Sequence, residues 1–181
     1  MDIETRYLFI TDIWQLIIEY VDSEQQYSII NNDSVFKQKL YIYDLSENSY
    51  FIQTLDDDLL KQHCFHRLRK FNANCNKKIT DVNYMQQLEE LYADFDCGID
   101  NNSIKQLTRL KILNANYNNK ITDVNHMQQL ENSEAQYGCG IDNNGIKQLT
   151  RLKILYANNN KKITDVNHMQ QLEELYTTCN N

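Results

Sequence analysis

The chain has 181 residues, a net charge of -7 and 41% apolar residues, enough for one or two domains with a sizeable core. That acidity argues against nucleic-acid phosphates or an anionic membrane surface as partners. No stretch reaches the roughly 18 consecutive apolar residues of a membrane span. The five cysteines, an odd number with no CxxC pair, suit a reducing cytosol better than a disulfide framework.

Residues 8–21 read LFITDIWQLIIEYV. Ile13, Leu16, Ile17 and Tyr20 share one face of an amphipathic helix, and Thr11 or Asp12 can cap its start. Asp12 and Glu19 interrupt the apolar run, and a basic start and a small-residue cleavage site are both missing. It therefore does not read as a signal peptide. Tyr27, Ile29 and Ile30 follow, then the turn Asn31-Asn32-Asp33-Ser34, then Val35, Phe36 and Leu40. Residues 1–39 thus form a small helical segment.

Residues 40–67 read either as a degenerate first repeat or as an irregular cap. In the first case Leu40, Tyr43, Leu45, Asn48 and Phe51 take the first, fourth, sixth, ninth and twelfth places of a unit. Asp56 to Arg67 then reads as a helix with acids first and bases last, matching its dipole.

Residues 68–181 repeat with a period of 42. LRKFNANCNKKITDVNYMQQ (68–87) recurs as LKILNANYNNKITDVNHMQQ (110–129) and LKILYANNNKKITDVNHMQQ (152–171). Between the copies lie LEELYADFDCGIDNNSIKQLTR (88–109) and LENSEAQYGCGIDNNGIKQLTR (130–151), and LEELYTTCNN (172–181) cuts off a third. Both units fit LxxLxAxxNxxI, as in Leu110, Leu113, Ala115, Asn118 and Ile121, or Leu88, Leu91, Ala93, Asp96 and Ile99. The pattern predicts a short parallel strand with its first, fourth and sixth residues inward. The ninth-place amide would satisfy loop groups of adjacent turns. Thr-Asp after the closing isoleucine predicts a short helix or 3₁₀ turn that buries Val124 and Met127. The alternate unit is expected to start its helix near Asp100 or Asn101 and to bury Ile104 and Leu107. Ser133 and Gly138 depart from the pattern, which makes unit 130–151 the expected weak link. Stacking such units buries a continuous core and gives an extended binding face rather than an enzyme.

The pattern resembles the leucine-rich repeat. The Ile-Thr-Asp run resembles the cysteine-containing subtype of F-box/leucine-rich-repeat proteins. Ile10-Thr11-Asp12-Ile13 and Leu16 to Val21 resemble the opening of an F-box, without that motif's proline. The near-identical copies and the asparagine bias resemble the members found in large DNA viruses of amoebae. The resemblance implies an α/β fold: a leucine-rich-repeat solenoid with parallel strands concave, helices convex and an F-box-like helical segment ahead of it. It also implies a substrate-receptor subunit of a cullin-RING (SCF-type) ubiquitin ligase in the cytoplasm, the host's if the chain is viral. Ile10, Ile13, Leu16, Ile17 and Tyr20 would then dock the adaptor subunit. The alternative is a repeat-based scaffold whose first helices only cap the solenoid.

On a parallel sheet, equivalent residues stack into columns. The second column (Arg69, Glu89, Lys111, Glu131, Lys153, Glu173) alternates in sign, which fixes register. Tyr92, Ile112, Asn114, Ile154, Tyr156 and Tyr176 lie on the concave face as candidate anchors for a target protein. Tyrosines also simply favour strands. His63, Cys64 and His66 supply too few ligands for zinc. His126 and His168 repeat a position held by Tyr84, which points to a solvated surface role. Cys97 and Cys139 fall two units apart, too far for a disulfide. No cofactor is expected, and no GxSxG, Walker or HExxH motif occurs. The strand at 172–176 ends the repeats at Asn180-Asn181, so fraying or self-association through that edge is expected.

Overall fold

The computed structural model describes residues 3–47 and 50–178, with side chains from Thr11 onward in the first helix. Asn48, Asn180 and Asn181 lie outside the described residues. So does the side chain of Ile10.

Three helices open the chain: α1 (Ile3–Ile18), α2 (Ser23–Asn31) and α3 (Phe36–Lys39). The Asp22 carboxylate caps α2 by accepting from the Gln25 N–H at 2.8 Å, satisfying one of the orphan donors of a helix start. Asp33 does the same for Val35 and Phe36 ahead of α3, at 2.7 and 3.1 Å. Aromatic contacts tie these helices down. Trp14 meets Phe36 at 5.3 Å, and Tyr27 stacks on Phe65 at 5.7 Å.

The rest is a ladder. Strands β1 (Asp44–Leu45), β2 (Lys70–Asn72), β3 (Glu90–Tyr92), β4 (Ile112–Asn114), β5 (Asn132–Glu134), β6 (Ile154–Tyr156) and β7 (Glu174–Tyr176) form one parallel sheet in sequence order. Every rung sets the same place opposite the same place: Phe71 pairs with Leu91, Leu91 with Leu113, Leu113 with Ser133. Helices α4 (Tyr50–Thr54), α5 (Asp57–Leu60) and α6 (Asn143–Ile146) and two 3₁₀ turns, His63–Phe65 and Asn102–Ile104, lie between strands. This is a leucine-rich-repeat solenoid, strands on the concave side.

The core is a set of apolar columns. First-place leucines 68, 88, 110, 130 and 152 are buried, as are sixth-place alanines 73, 93, 115, 135 and 157. Each fully buried leucine contributes about 1.5–3 kcal/mol. The expected amide ladder is present. Asn76 donates to the Ile52 and Leu55 carbonyls, Asn118 to Ala93 and Ile99, and Asn160 to Ala135 and Ile141, at 2.9–3.1 Å.

Three expectations are corrected. Leu45 pairs with Phe71, so Ile42 and Leu45, not Leu40 and Tyr43, hold the first and fourth places of the opening rung. The Ile42 N–H bonds the Cys64 carbonyl at 2.7 Å and closes that rung two residues later than the pattern suggests. In the alternate units Asp96 and Gly138 do not turn inward. Asp96 is exposed, its carboxylate 3.2 Å from Lys77. Cys97 and Cys139, one place later, take the buried position. Finally, Thr-Asp starts no helix. Asp81 and Asp123 instead fold back onto the N–H of Asn83 and Asn125, both at 3.0 Å, as Asx turns do. The convex side of the asparagine units is therefore stacked turns. In the alternate units the capping aspartates do work as expected: Asp142 accepts from the Gly145 N–H at 2.9 Å at the start of α6.

Candidate interaction surfaces

Helix α1 has two faces of opposite fate. Thr11 and Ile18 are buried, and Trp14 packs on the core. Gln15 does more. Its amide donates to the Tyr41 carbonyl and its oxygen accepts from the Tyr41 N–H, both at 2.8 Å. One side chain thus satisfies a backbone unit beside the edge strand β1, as a neighbouring strand would. The other face carries the sequence-derived candidates Ile13, Leu16 and Ile17, and Tyr20 follows in the turn after the helix. Ile13 is 42% exposed, Leu16 63%, Ile17 47% and Tyr20 92%. None of the four sits inside the bundle. They form one apolar stripe at the spacing of a helix face, the kind of exposed patch that marks interaction surfaces.

The sheet's open face carries the second group. Ile112 and Ile154 occupy third places, and Tyr92, Asn114, Tyr156 and Tyr176 occupy fifth places. All six therefore look out from the sheet, on neighbouring or alternate rungs. Tyr156 and Tyr176 stack at 4.5 Å with 5° between their planes. The Tyr92 hydroxyl reaches Glu90 at 3.5 Å, and Glu90 pairs with Lys70 at 3.0 Å. Asn114 is committed. Its amide, with those of Asn116 and Gln136, points at the Glu134 carboxylate, at 3.2, 2.7 and 3.4 Å. The amide oxygens of Asn114 and Asn116 accept from the N–H groups of Asn116 and Gln136, which fixes their orientation. Asp94 lies in the same cluster. Burial, then the nearby charge of Glu134, push its carboxyl up to about 6. One of its oxygens is buried without a partner.

The second column behaves as expected. Lys111 bonds Glu89 and Lys153 bonds Glu131, each at 2.7 Å. The histidines do not. His126 and His168 are half-buried, and their rings meet the Ile104 and Ile146 carbonyls of the preceding unit at 2.8 and 3.0 Å. They are rung-to-rung ties rather than solvated groups. Cys64, Cys75, Cys97 and Cys139 are free thiols. Among the described residues no group of three or more acids, histidines and cysteines could hold a metal. Among them also, no helix is long and apolar enough to cross a membrane. Strand β7 pairs with β6, and Leu175 on it is 44% exposed.

One feature escaped the sequence reading. The eighth-place residues Cys75, Phe95, Tyr117, Tyr137 and Asn159 all have φ between 50 and 58°, a left-handed conformation that costs a side-chain-bearing residue of order 1 kcal/mol or more. Three of them stack, Phe95 on Tyr117 at 4.9 Å and Tyr117 on Tyr137 at 5.0 Å. Aromatic residues at one place of three successive units were the available signal.

No protein-family model matches the chain, and no curated protein matches it. Solved structures with a similar fold include three from Listeria monocytogenes. The functional domain of InlJ, which includes a cysteine ladder, is 20% identical, with a TM-score of 0.43 over 62% of this chain and 30% of that one. The internalin inlF is 19% identical, with a TM-score of 0.38 over 66% of this chain and 50% of that one. The internalin C2 is 16% identical, with a TM-score of 0.38 over 78% and 79%. The chain thus spans half or less of the length of the first two.

Proposed function

We propose that this protein is a protein-interaction module that works as the substrate-receptor subunit of a cullin-RING ubiquitin ligase in the cytoplasm. The exposed stripe of α1 docks the adaptor subunit, and the open face of the sheet holds the target. The observation that carries this reading is the two-faced helix. A helix that merely closed a solenoid would need one apolar face, and α1 has a second one, Ile13, Leu16 and Ile17, continued by Tyr20 in the turn after it, standing in water. On the sheet face, Ile112, Ile154, Tyr156 and Tyr176 offer the aromatic and aliphatic anchors on which protein interfaces depend.

A second reading has its own support. Gln15, Trp14 and Ile18 bind α1 to the first rungs, as a pure cap would. The protein is then a binding scaffold with no ligase link. A pull-down with purified adaptor subunit separates the two. Intact protein should bind with micromolar affinity or better, and Leu16→Asp or Tyr20→Asp should abolish binding while the melting temperature holds. Absence of measurable binding by the intact protein would leave the scaffold reading standing.

A further inference from the structure

A cleft of about 980 Å³ lies where α1 and α2 face the starts of β1 and β2. Neither surface described above includes it. Two arginines, Arg67 and Arg69, stand in its wall, in a protein whose net charge is -7. For Arg69 the ladder shows why a carboxylate partner is missing. In the second column Glu89 pairs forward with Lys111 and Glu131 forward with Lys153. That pairing leaves Arg69 over. Among the described residues no carboxylate lies within ion-pair distance of either guanidinium.

An aromatic ring stands beside each group. The Arg67 guanidinium lies 4.2 Å from the Tyr41 ring centre, and that of Arg69 lies 6.0 Å from Tyr43. The Arg67 fork lies on the Tyr41 face with its N–H edges free, and Arg69 sits at the outer limit of attraction to the Tyr43 ring. The walls add a matched pair of amide groups. Gln26 spends its NH₂ on the Val21 carbonyl at 2.8 Å, leaving its oxygen as an acceptor. Gln87 spends its oxygen on Arg109 at 3.0 Å, leaving its NH₂ as a donor. One free acceptor and one free donor fit the N–H and C=O of a peptide backbone. Glu19 and Asp44 also line the cleft and repel a ligand with negative charge spread along its length.

We propose that this cleft binds an extended peptide segment of a partner protein through one anionic side chain, a carboxylate or a phosphorylated residue, clasped by Arg67 and Arg69. The fork geometry of two guanidiniums matches the two or three oxygens of such a group. This site does not depend on adaptor docking, so failure of the ligase reading leaves it intact.

The test is an NMR titration of the full chain, followed at the arginine side-chain N–H signals. The probes are phosphoserine, glutamate and glutamine, each blocked as its N-acetyl N-methylamide so that only the side chain can carry charge and the glutamine probe is neutral. Signals of Arg67 and Arg69 should move saturably with the two anions and stay still with the neutral compound, while Arg109 and Arg151 do not respond. Stronger binding of phosphoserine assigns the ligand as a phosphorylated residue, and equal binding assigns a carboxylate. Arg69→Gln should weaken binding about tenfold, and Arg69→Lys, which keeps the charge but loses the fork, should weaken it less. Arg67→Gln is the second variant should Arg69→Gln lose its fold. Equal response to the blocked glutamine probe, equal movement of Arg67, Arg69, Arg109 and Arg151, or unchanged affinity in a folded Gln variant would overturn the proposal.

Discussion

The asparagine units and the units between them put opposite chemistry at the same turn of the solenoid. In the first kind an amide reaches back and satisfies two carbonyls of the preceding rung. In the second a small thiol fills the space and is reached over: the Asn118 amide passes 3.4 Å from the Cys97 sulfur on its way to the Ala93 and Ile99 carbonyls. The cysteine units must also pass close beneath earlier backbone. A Cβ on Gly140 would stand 2.5 Å from the Ile121 oxygen and 2.6 Å from that of Asn119. One kind of rung gives hydrogen bonds and the other makes room for them. That division explains why the repeat is a 42-residue pair rather than a single unit.

The sharpest way to break this pairing is at Asn118. Asn118→Ala leaves two buried carbonyls without a donor and should cost about 2–4 kcal/mol. Cys97→Ala removes packing and a weak sulfur acceptor for the Asn118 amide, which keeps its two carbonyl partners, and should cost about 1 kcal/mol. Urea unfolding of both variants checks the contrast, and equal losses would remove the distinction between the rungs. Gly140→Ala comes next. It pushes a methyl into backbone that has no side chain to swing aside, at about 1–3 kcal/mol, read from the same unfolding curves.

A smaller effect of opposite sign is expected at Ser133. It holds the fourth place, where Phe71, Leu91, Leu113 and Leu155 are apolar, and its hydroxyl is buried without a partner. Ser133→Ala should therefore stabilise the protein by about 1 kcal/mol, seen as a higher urea midpoint. An unchanged or lowered midpoint would mean that unit 130–151 is not the weak rung.

The last effect concerns pH. The Asp94 carboxyl titrates higher in the folded chain, about 6, than in the unfolded chain, about 3.9. The native state therefore binds more protons than the unfolded one between those values. Asp94's contribution to stability is full below pH about 4 and is lost as pH rises through about 6. Asp94→Asn should flatten that part of the stability–pH curve. Glu89 and Glu131, held low chiefly by their bonds to Lys111 and Lys153, act in the opposite sense at lower pH and are untouched by this variant.

Much of this architecture was legible because a repeat states its own rules several times. The leucine, alanine and asparagine columns follow from spacing alone. The register of residues 40–67 did not, because only one imperfect copy exists and α3 runs directly into it. The inward position in the cysteine units was misread for a related reason. These units are 22 residues long against 20, but the two extra residues fall after the closing isoleucine, so spacing alone does not choose between Asp96 and Cys97 as the inward residue. The exposed stripe of α1 was legible as a helix face. Its orientation was not, since Thr11, Trp14, Gln15 and Ile18 form an equally regular opposite face. The Arg67–Arg69 cleft joins residues of the helical segment to the first rungs, and no local pattern brings them together.

The double bond between Gln15 and Tyr41 fixes a geometry as well as an edge. The Tyr43 carbonyl, two residues on, accepts from both Arg69 and Lys70 at 2.8 and 3.2 Å, so the tie continues directly into the sheet. The Gln15 tie together with the packing of Trp14 and Ile18 on the core opposes rolling of α1 about its own axis. The direction in which Leu16 and Tyr20 face is thereby locked to the direction in which Ile112 and Tyr156 face. Anything held on the helix and anything held on the strands would meet at a set angle and distance, with the protein serving as a rigid bracket between them.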